Sequence, residues 1–121
     1  MPIVDIEVVT QAAGSPRLPE ARALADALGR VFGSAPGRTW VRVHALDAAC
    51  YAENDSPVAA GDLPVFVTVL HARPPTGAAL QAEVSALTEA VAACASRDVS
   101  RVHVTYAPAA AGRQAFGGRL V

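Results

Sequence analysis

Arg42 and Arg73 are the first residues of this chain whose type and place could do chemistry. Arg42 stands in Val41-Arg42-Val43, and Arg73 follows an apolar run in Leu70-His71-Ala72-Arg73-Pro74. A guanidinium is a planar fork that grips a carboxylate through two hydrogen bonds, so either residue could hold a small organic acid. Pro2 lies beside the chain start, after Met1. Aminopeptidases that remove an initiator methionine accept small following residues, and proline qualifies. The product would be a secondary amine on a rigid ring, too basic to be neutral at physiological pH. Apolar burial and nearby arginines both disfavour its protonated form and pull its pKa toward neutrality. A base poised there can lift a proton from the carbon beside a carbonyl and return it elsewhere.

The other polar residues carry weaker signals. His44, His71 and His103 lack metal-ligand spacing and read as structural histidines. Cys50 and Cys94 also lack such spacing and read as small apolar residues in a reduced protein. Asp5 and Glu7 alternate with apolar neighbours, as solvated groups or as partners of a second subunit would. Asp47, Glu53 and Asp55 fall in a loop with no identifiable partner, and Trp40 and Phe32 read as core. Lys and Arg number 10 against 11 Asp and Glu, for a net charge of -1, so neither nucleic acid nor a strongly charged partner is indicated. No apolar stretch approaches the roughly 20 residues that span a bilayer. The opening Met1-Pro2-Ile3-Val4-Asp5 has no basic segment before an apolar run, so no signal peptide is expected and the expected location is cytoplasmic.

The elements that must position these residues follow from hydrophobic period. Residues 3–9 alternate apolar and acidic as a strand with one buried face. Gly14, Ser15, Pro16 and Pro19 break the chain, and Ala21, Leu24, Ala25, Leu28, Val31 and Phe32 mark a helix face that ends at Gly33. Trp40, Val41, Val43 and Ala45 form a second strand. The order then recurs. Leu63–Leu70 is a strand rich in β-branched residues, Thr76 is a candidate helix cap, and Leu80, Val84, Leu87 and Val91 share one helix face. Val102, Val104 and Tyr106 alternate as a fourth strand. Pro2 corresponds to Pro64, and Val41 and Val43 to Val102 and Val104, at a nearly constant offset of about 60 residues, too long for most solenoid repeats. The expectation is one domain of two pseudo-repeats, 1–62 and 63–121. Each is a βαβ unit with parallel strands, and together they make an α+β fold with a four-stranded sheet and two helices on one face. With 52% apolar and only 17% charged residues, some apolar surface should be covered by self-association. Ala107–Val121, with Gly112, Gly117 and Gly118, reads as an arm or short hairpin.

The Met-Pro opening followed at once by a strand, the duplicated βαβ unit, and the arginine inside Val41-Arg42-Val43 together resemble the tautomerase superfamily. That superfamily comprises proteins like 4-oxalocrotonate tautomerase, malonate semialdehyde decarboxylase and macrophage migration inhibitory factor. The likeness runs over essentially the whole chain. It implies that Met1 is removed and that Pro2 acts as general base and then acid. It further implies no cofactor, no metal, a homotrimer and a small carboxylate substrate. Arg42 and Arg73 are the implied carboxylate ligands. Phe116, before Gly117-Gly118, is the implied pocket wall, and Tyr106 stands beside Thr105, where the family's dehalogenases carry a tyrosine. Pro64 lies inside the chain and should be purely structural. His103, the counterpart of Arg42, shows that the two halves have diverged.

The departures from the family also speak. Pro74, Pro75 and Thr76 stand where a second arginine is expected after Arg73. Pro36-Gly37-Arg38-Thr39 lacks the decarboxylase aspartate, and Gln114-Ala115-Phe116-Gly117 lacks the dehalogenase glutamate. Ala12 and Ala13 replace the first-loop arginine, with Arg17 further on. Tautomerisation or isomerisation of a small 2-keto or enol acid is therefore the leading expectation. A related dehalogenase, hydratase or decarboxylase, and a non-catalytic binding protein, are the alternatives.

Overall fold

The computed structural model describes residues 2–11 and 17–121. Met1, the first-loop positions Ala12 and Ala13, and the break at Gly14, Ser15 and Pro16 lie outside the described residues.

Strand β1 (Ile3–Thr10) buries Val4, Ile6 and Val8, while Ile3, Asp5 and Glu7 point the other way. Helix α1 (Ala21–Phe32) presents Leu24 and Leu28 to that buried face, as its period of three and four requires. It stops at Gly33, whose φ of +62° reverses the chain; there Ser34 N–H donates to Gly29 O at 2.9 Å. A glycine accepts this left-handed turn without a Cβ clash. Strand β2 (Trp40–Asp47) then runs parallel to β1, from Ile3 opposite Trp40 to Thr10 opposite Asp47. The second unit repeats this arrangement. Strand β3 (Val65–Leu70) leads to α2 (Gly77–Ala95) and to β4 (Val102–Tyr106), parallel to β3. β1 and β3 join the units in antiparallel register, Ile3 opposite Leu70 and Val8 opposite Val65. The sheet order is β2-β1-β3-β4. Thr76 sits at the N-cap of α2, although its side chain makes no capping hydrogen bond there.

One core unites both helices with one sheet face. Leu24 and Leu28 of α1 and Leu87, Val91 and Ala92 of α2 close over Val4, Ile6, Val8, Val65, Val67 and Val69. Each fully buried Leu or Ile contributes about 1.5–3 kcal/mol relative to exposure, so this layer is the main source of cohesion. Cys94 packs half-buried against the core, whereas Cys50 is exposed and does not act as a core residue. Arg97, just past α2, closes the far end of the sheet. Its guanidinium donates to Leu63 O at 2.8 Å and Val9 O at 3.1 Å, and Val9 N–H donates to Pro64 O at 3.1 Å.

The face turned away from the helices carries rows set by the register. Arg42, Asp5, Thr68 and Thr105 form one row, and His44, Glu7, Phe66 and His103 the next. Asp5, expected to be solvated or paired with another subunit, holds Arg42 within the chain. Trp40 also differs from its expected place in the core and is 45% exposed. It opens the edge strand β2 on the side of Arg42 and His44, so strand parity carries it away from the helices. The loop after β2 folds over the second row, with Tyr51 against Phe66 at 5.8 Å between ring centroids. Tyr51 OH donates to Glu53 Oε2 at 2.6 Å, and Arg101 Nη2 donates to the same oxygen at 3.0 Å. Glu53, expected to lack a partner, therefore staples the loop to the turn that enters β4, and these hydrogen bonds hold its carboxyl below the usual range. The C-terminal residues form a hairpin, β5 (Ala115–Phe116) and β6 (Arg119–Leu120), turned by Gly117 and Gly118 at positive φ.

Candidate functional site

Pro2 immediately precedes the central strand β1 and is buried. Its carbonyl accepts a hydrogen bond from Trp40 N–H at 3.1 Å, which extends the β1–β2 pairing to the chain start. On the other side the β1–β3 ladder ends with Ile3 opposite Leu70. The next residue outward on each strand is Pro2 on one and His71 on the other. Both lie on the helix-side face, because Val4 and Val69, two pairs further in, point there.

Around His71 the structure gathers groups from three elements. Phe32, at the end of α1, meets the imidazole edge-on with centroids 5.7 Å apart. Glu83 of α2 places Oε1 at 3.8 Å from His71 Nε2, and the two side chains are only 13% and 20% exposed. Tyr106 at the end of β4 donates its hydroxyl to the other oxygen of Glu83. Burial first, and the Glu83 carboxylate second, push the Tyr106 phenol well above its ordinary pKa, so it remains a proton donor. His71 Nδ1 is buried and has no hydrogen-bond partner among the described residues. The backbone past β4 runs on beside this end of β3, with Ala107 N–H on Val69 O at 2.8 Å and Ala110 N–H on His71 O at 3.1 Å. Beside it lies a hollow of about 220 Å³ lined by Leu70, Ala107–Ala110, Arg113 and Gln114.

The structure brings some of the expected residues together and separates others. Pro2 and Tyr106 lie at the same end of the sheet, and Arg73 is exposed just beyond β3 at that end. Phe116 packs on Trp40, edge to face at 5.3 Å, at the same end but against β2. Arg42 lies on the opposite face and is already engaged. Its Nε donates to Asp5 Oδ1 at 2.6 Å and its Nη2 to Oδ2 at 2.8 Å. This bond and the charge of Asp5 raise its pKa further. Tyr106 spends its hydroxyl on Glu83.

Glu83, Arg113 and Gln114 were not singled out from the sequence as contributors. For Glu83 a signal existed: it is three residues after Leu80 and four before Leu87, so an acid stands on the apolar stripe of α2. Arg113 and Gln114 gave none, because their approach to Leu70 depends on how the chain turns after β4. Among the described residues no three His, Cys, Asp or Glu side chains gather in a metal-holding group, and no helix is long and apolar enough to cross a membrane.

Comparison with known proteins matches the geometry at the level of fold. Solved structures of 4-OT, malonate semialdehyde decarboxylase and macrophage migration inhibitory factor share this fold. A fused 4-OT solved as a symmetric trimer superposes with a TM-score of 0.71 over 98% of this chain and 94% of that one, at 18% identity. FG41 malonate semialdehyde decarboxylase inhibited by 3-bromopropiolate gives 0.69 over 95% and 88%, at 21% identity. The macrophage migration inhibitory factor of Toxoplasma gondii gives 0.66 over 97% of each chain, at 16% identity. No family model matches the sequence. No curated protein matches it either.

Proposed function

We propose that this protein is a cofactor-free tautomerase or isomerase of a small 2-keto or enol carboxylic acid. Removal of Met1 would make Pro2 its general base and then its general acid. The observation that carries this reading is the placement of Pro2: buried, at the head of the central strand, beside the junction with the second unit. The likeness to a fused 4-OT and a malonate semialdehyde decarboxylase supports it. A neutral secondary amine there removes the proton beside the substrate carbonyl, and the resulting ammonium returns it to the far carbon of the enol. Apolar burial keeps the amine from being permanently protonated.

Arg73 is the first choice to grip the substrate carboxylate, because its guanidinium is exposed at the end of the sheet where Pro2 lies. A role for Arg42 requires the substrate to displace Asp5, which now fills its fork. Phe116 contributes a wall, and Tyr106 acts through Glu83 rather than on substrate directly. The open sheet face, with its exposed Trp40, is covered in a homotrimer; 4-OT trimers of the same fold support that assembly. The substrate reaches the protein as a small anion, and neither nucleic acid nor a membrane takes part.

Two measurements test the reading. Intact mass should show loss of Met1. Pro2→Ala should lose about 100-fold or more in the enolisation of phenylpyruvate or 2-hydroxymuconate. A mass that includes Met1, or an alanine variant as active as the parent, refutes it.

A further inference from the structure

We propose that His71, set beside the Glu83–Tyr106 pair, is a positioning residue that accepts a hydrogen bond from the amine of Pro2 through its unpaired Nδ1. The inference rests on the reading of Pro2 as the base. Three observations carry it. Continued one pair beyond Ile3 and Leu70, the β1–β3 register sets His71 across from Pro2 and on the same face. Residues facing each other in an antiparallel pair have Cα atoms about 4.5–5.5 Å apart, so their polar atoms are within reach. The carboxylate of Glu83 sits at the Nε2 side of the ring, which favours the tautomer with the proton on Nε2 and leaves Nδ1 as an acceptor. Nδ1 is buried and unsatisfied among the described residues, a costly arrangement unless a donor arrives.

The chain-terminal amine supplies such a donor. A neutral secondary amine has one N–H and one lone pair. Committing the N–H to His71 turns the lone pair away from the imidazole, toward the side where substrate can enter. After Pro2 has taken a proton from carbon it has two N–H bonds. One stays on His71 while the other proton goes back to the substrate, so no proton leaves the cycle. The rest of the assembly fixes the imidazole. Phe32 blocks it from the α1 side, Glu83 faces it from α2, and Tyr106 pins the second Glu83 oxygen from β4. Arg73 lies two residues further along the chain and is exposed, so Glu83 and Tyr106 are the ionisable groups packed around the ring.

The test is a 15N NMR titration of the terminal amine in the full chain after Met1 removal, since its nitrogen resonates apart from the imide nitrogens of the internal prolines. A hydrogen bond to a charged donor favours the ammonium form, so His71→Phe should lower the Pro2 midpoint by about one pH unit. The acidic limb of kcat/KM for phenylpyruvate should move with it, while KM changes little. His71→Asn, whose amide oxygen can take the place of Nδ1, should restore most of the shift. Tyr106→Phe should move the midpoint in the same direction by less, and it also covers the case where the ring substitution fails to fold. A midpoint within about a fifth of a unit of the parent in folded His71→Phe and Tyr106→Phe overturns the proposal. Failure of the underlying reading looks different. In that case no titrating amine is present, or Pro2→Ala keeps full activity while the amine still responds to His71.

Discussion

Replacing Arg97 by methionine should lower the melting temperature by about 8 °C. Arg97 is half-buried and ties together the end of β1 and the entry to β3 through Val9 O at 3.1 Å and Leu63 O at 2.8 Å. Val9 is fully buried and Leu63 is 5% exposed, so water cannot easily replace the lost donor. Methionine keeps the apolar stem and removes only the fork. Leaving a buried acceptor unmet costs about 1–3 kcal/mol, and there are two such acceptors here. Against this stands the relief of desolvating the guanidinium, whose pKa burial depresses. The net is a loss of about 2 kcal/mol. A chain of this length unfolds with an entropy near 0.25 kcal/mol/K, which converts that loss to the stated shift. Thermal denaturation followed by circular dichroism, at one fixed protein concentration, is the assay. Arg97→Lys keeps the charge but not the fork and should recover about half of the loss. A methionine variant that melts within about 1 °C of the parent would show that the clamp adds nothing beyond the ladder beside it.

Leu87→Ala opens a cavity between α2 and the sheet at a fully buried position and should cost about 3–4 kcal/mol, read from the urea midpoint at unchanged m-value. Gly33→Ala puts a side chain at φ +62° and should cost about 1 kcal/mol by the same measurement. Glu53 has a carboxyl held below the usual range in the folded protein, so the folded state binds fewer protons than the unfolded one across that window. Its contribution is present above the ordinary carboxylate pKa and disappears as pH falls through the lower folded value; Glu53→Gln should flatten this acid limb of stability against pH. Asp5→Asn removes half of the grip on Arg42 and should lower KM for a small keto acid several-fold if that guanidinium serves substrate; an unchanged KM removes Arg42 from the site.

The elements were legible because period and punctuation agreed. Leu24 and Leu28 set one helix stripe, Leu87 and Val91 another, and Gly33 stopped the first where its positive φ is needed. Strand ends moved slightly: β1 runs on to Thr10 and β2 to Asp47, polar residues that a hydrophobic pattern excludes but a ladder can hold. Trp40, expected in the core, lies instead on the face away from the helices. In Trp40-Val41-Arg42-Val43-His44 the tryptophan shares parity with an arginine and a histidine, and that parity governs which face it takes.

The site was less legible, since it depends on pairings between residues far apart in the chain. Arg42 reads from sequence either as a carboxylate fork or as half of a surface ion pair, and its valine neighbours do not decide between them; the carboxylate that fills it arrives from β1 through the parallel register. His71 looked like an ordinary histidine beside Arg73 for the same reason. Only the antiparallel junction of the two units sets it against Pro2, and only α2 brings Glu83 to its other nitrogen. Duplication gives each unit a self-contained helix and strand pair. The chemistry proposed for this chain falls where the copies differ, at the seam between β1 and β3, and a reading that treats the halves as equivalent passes over it.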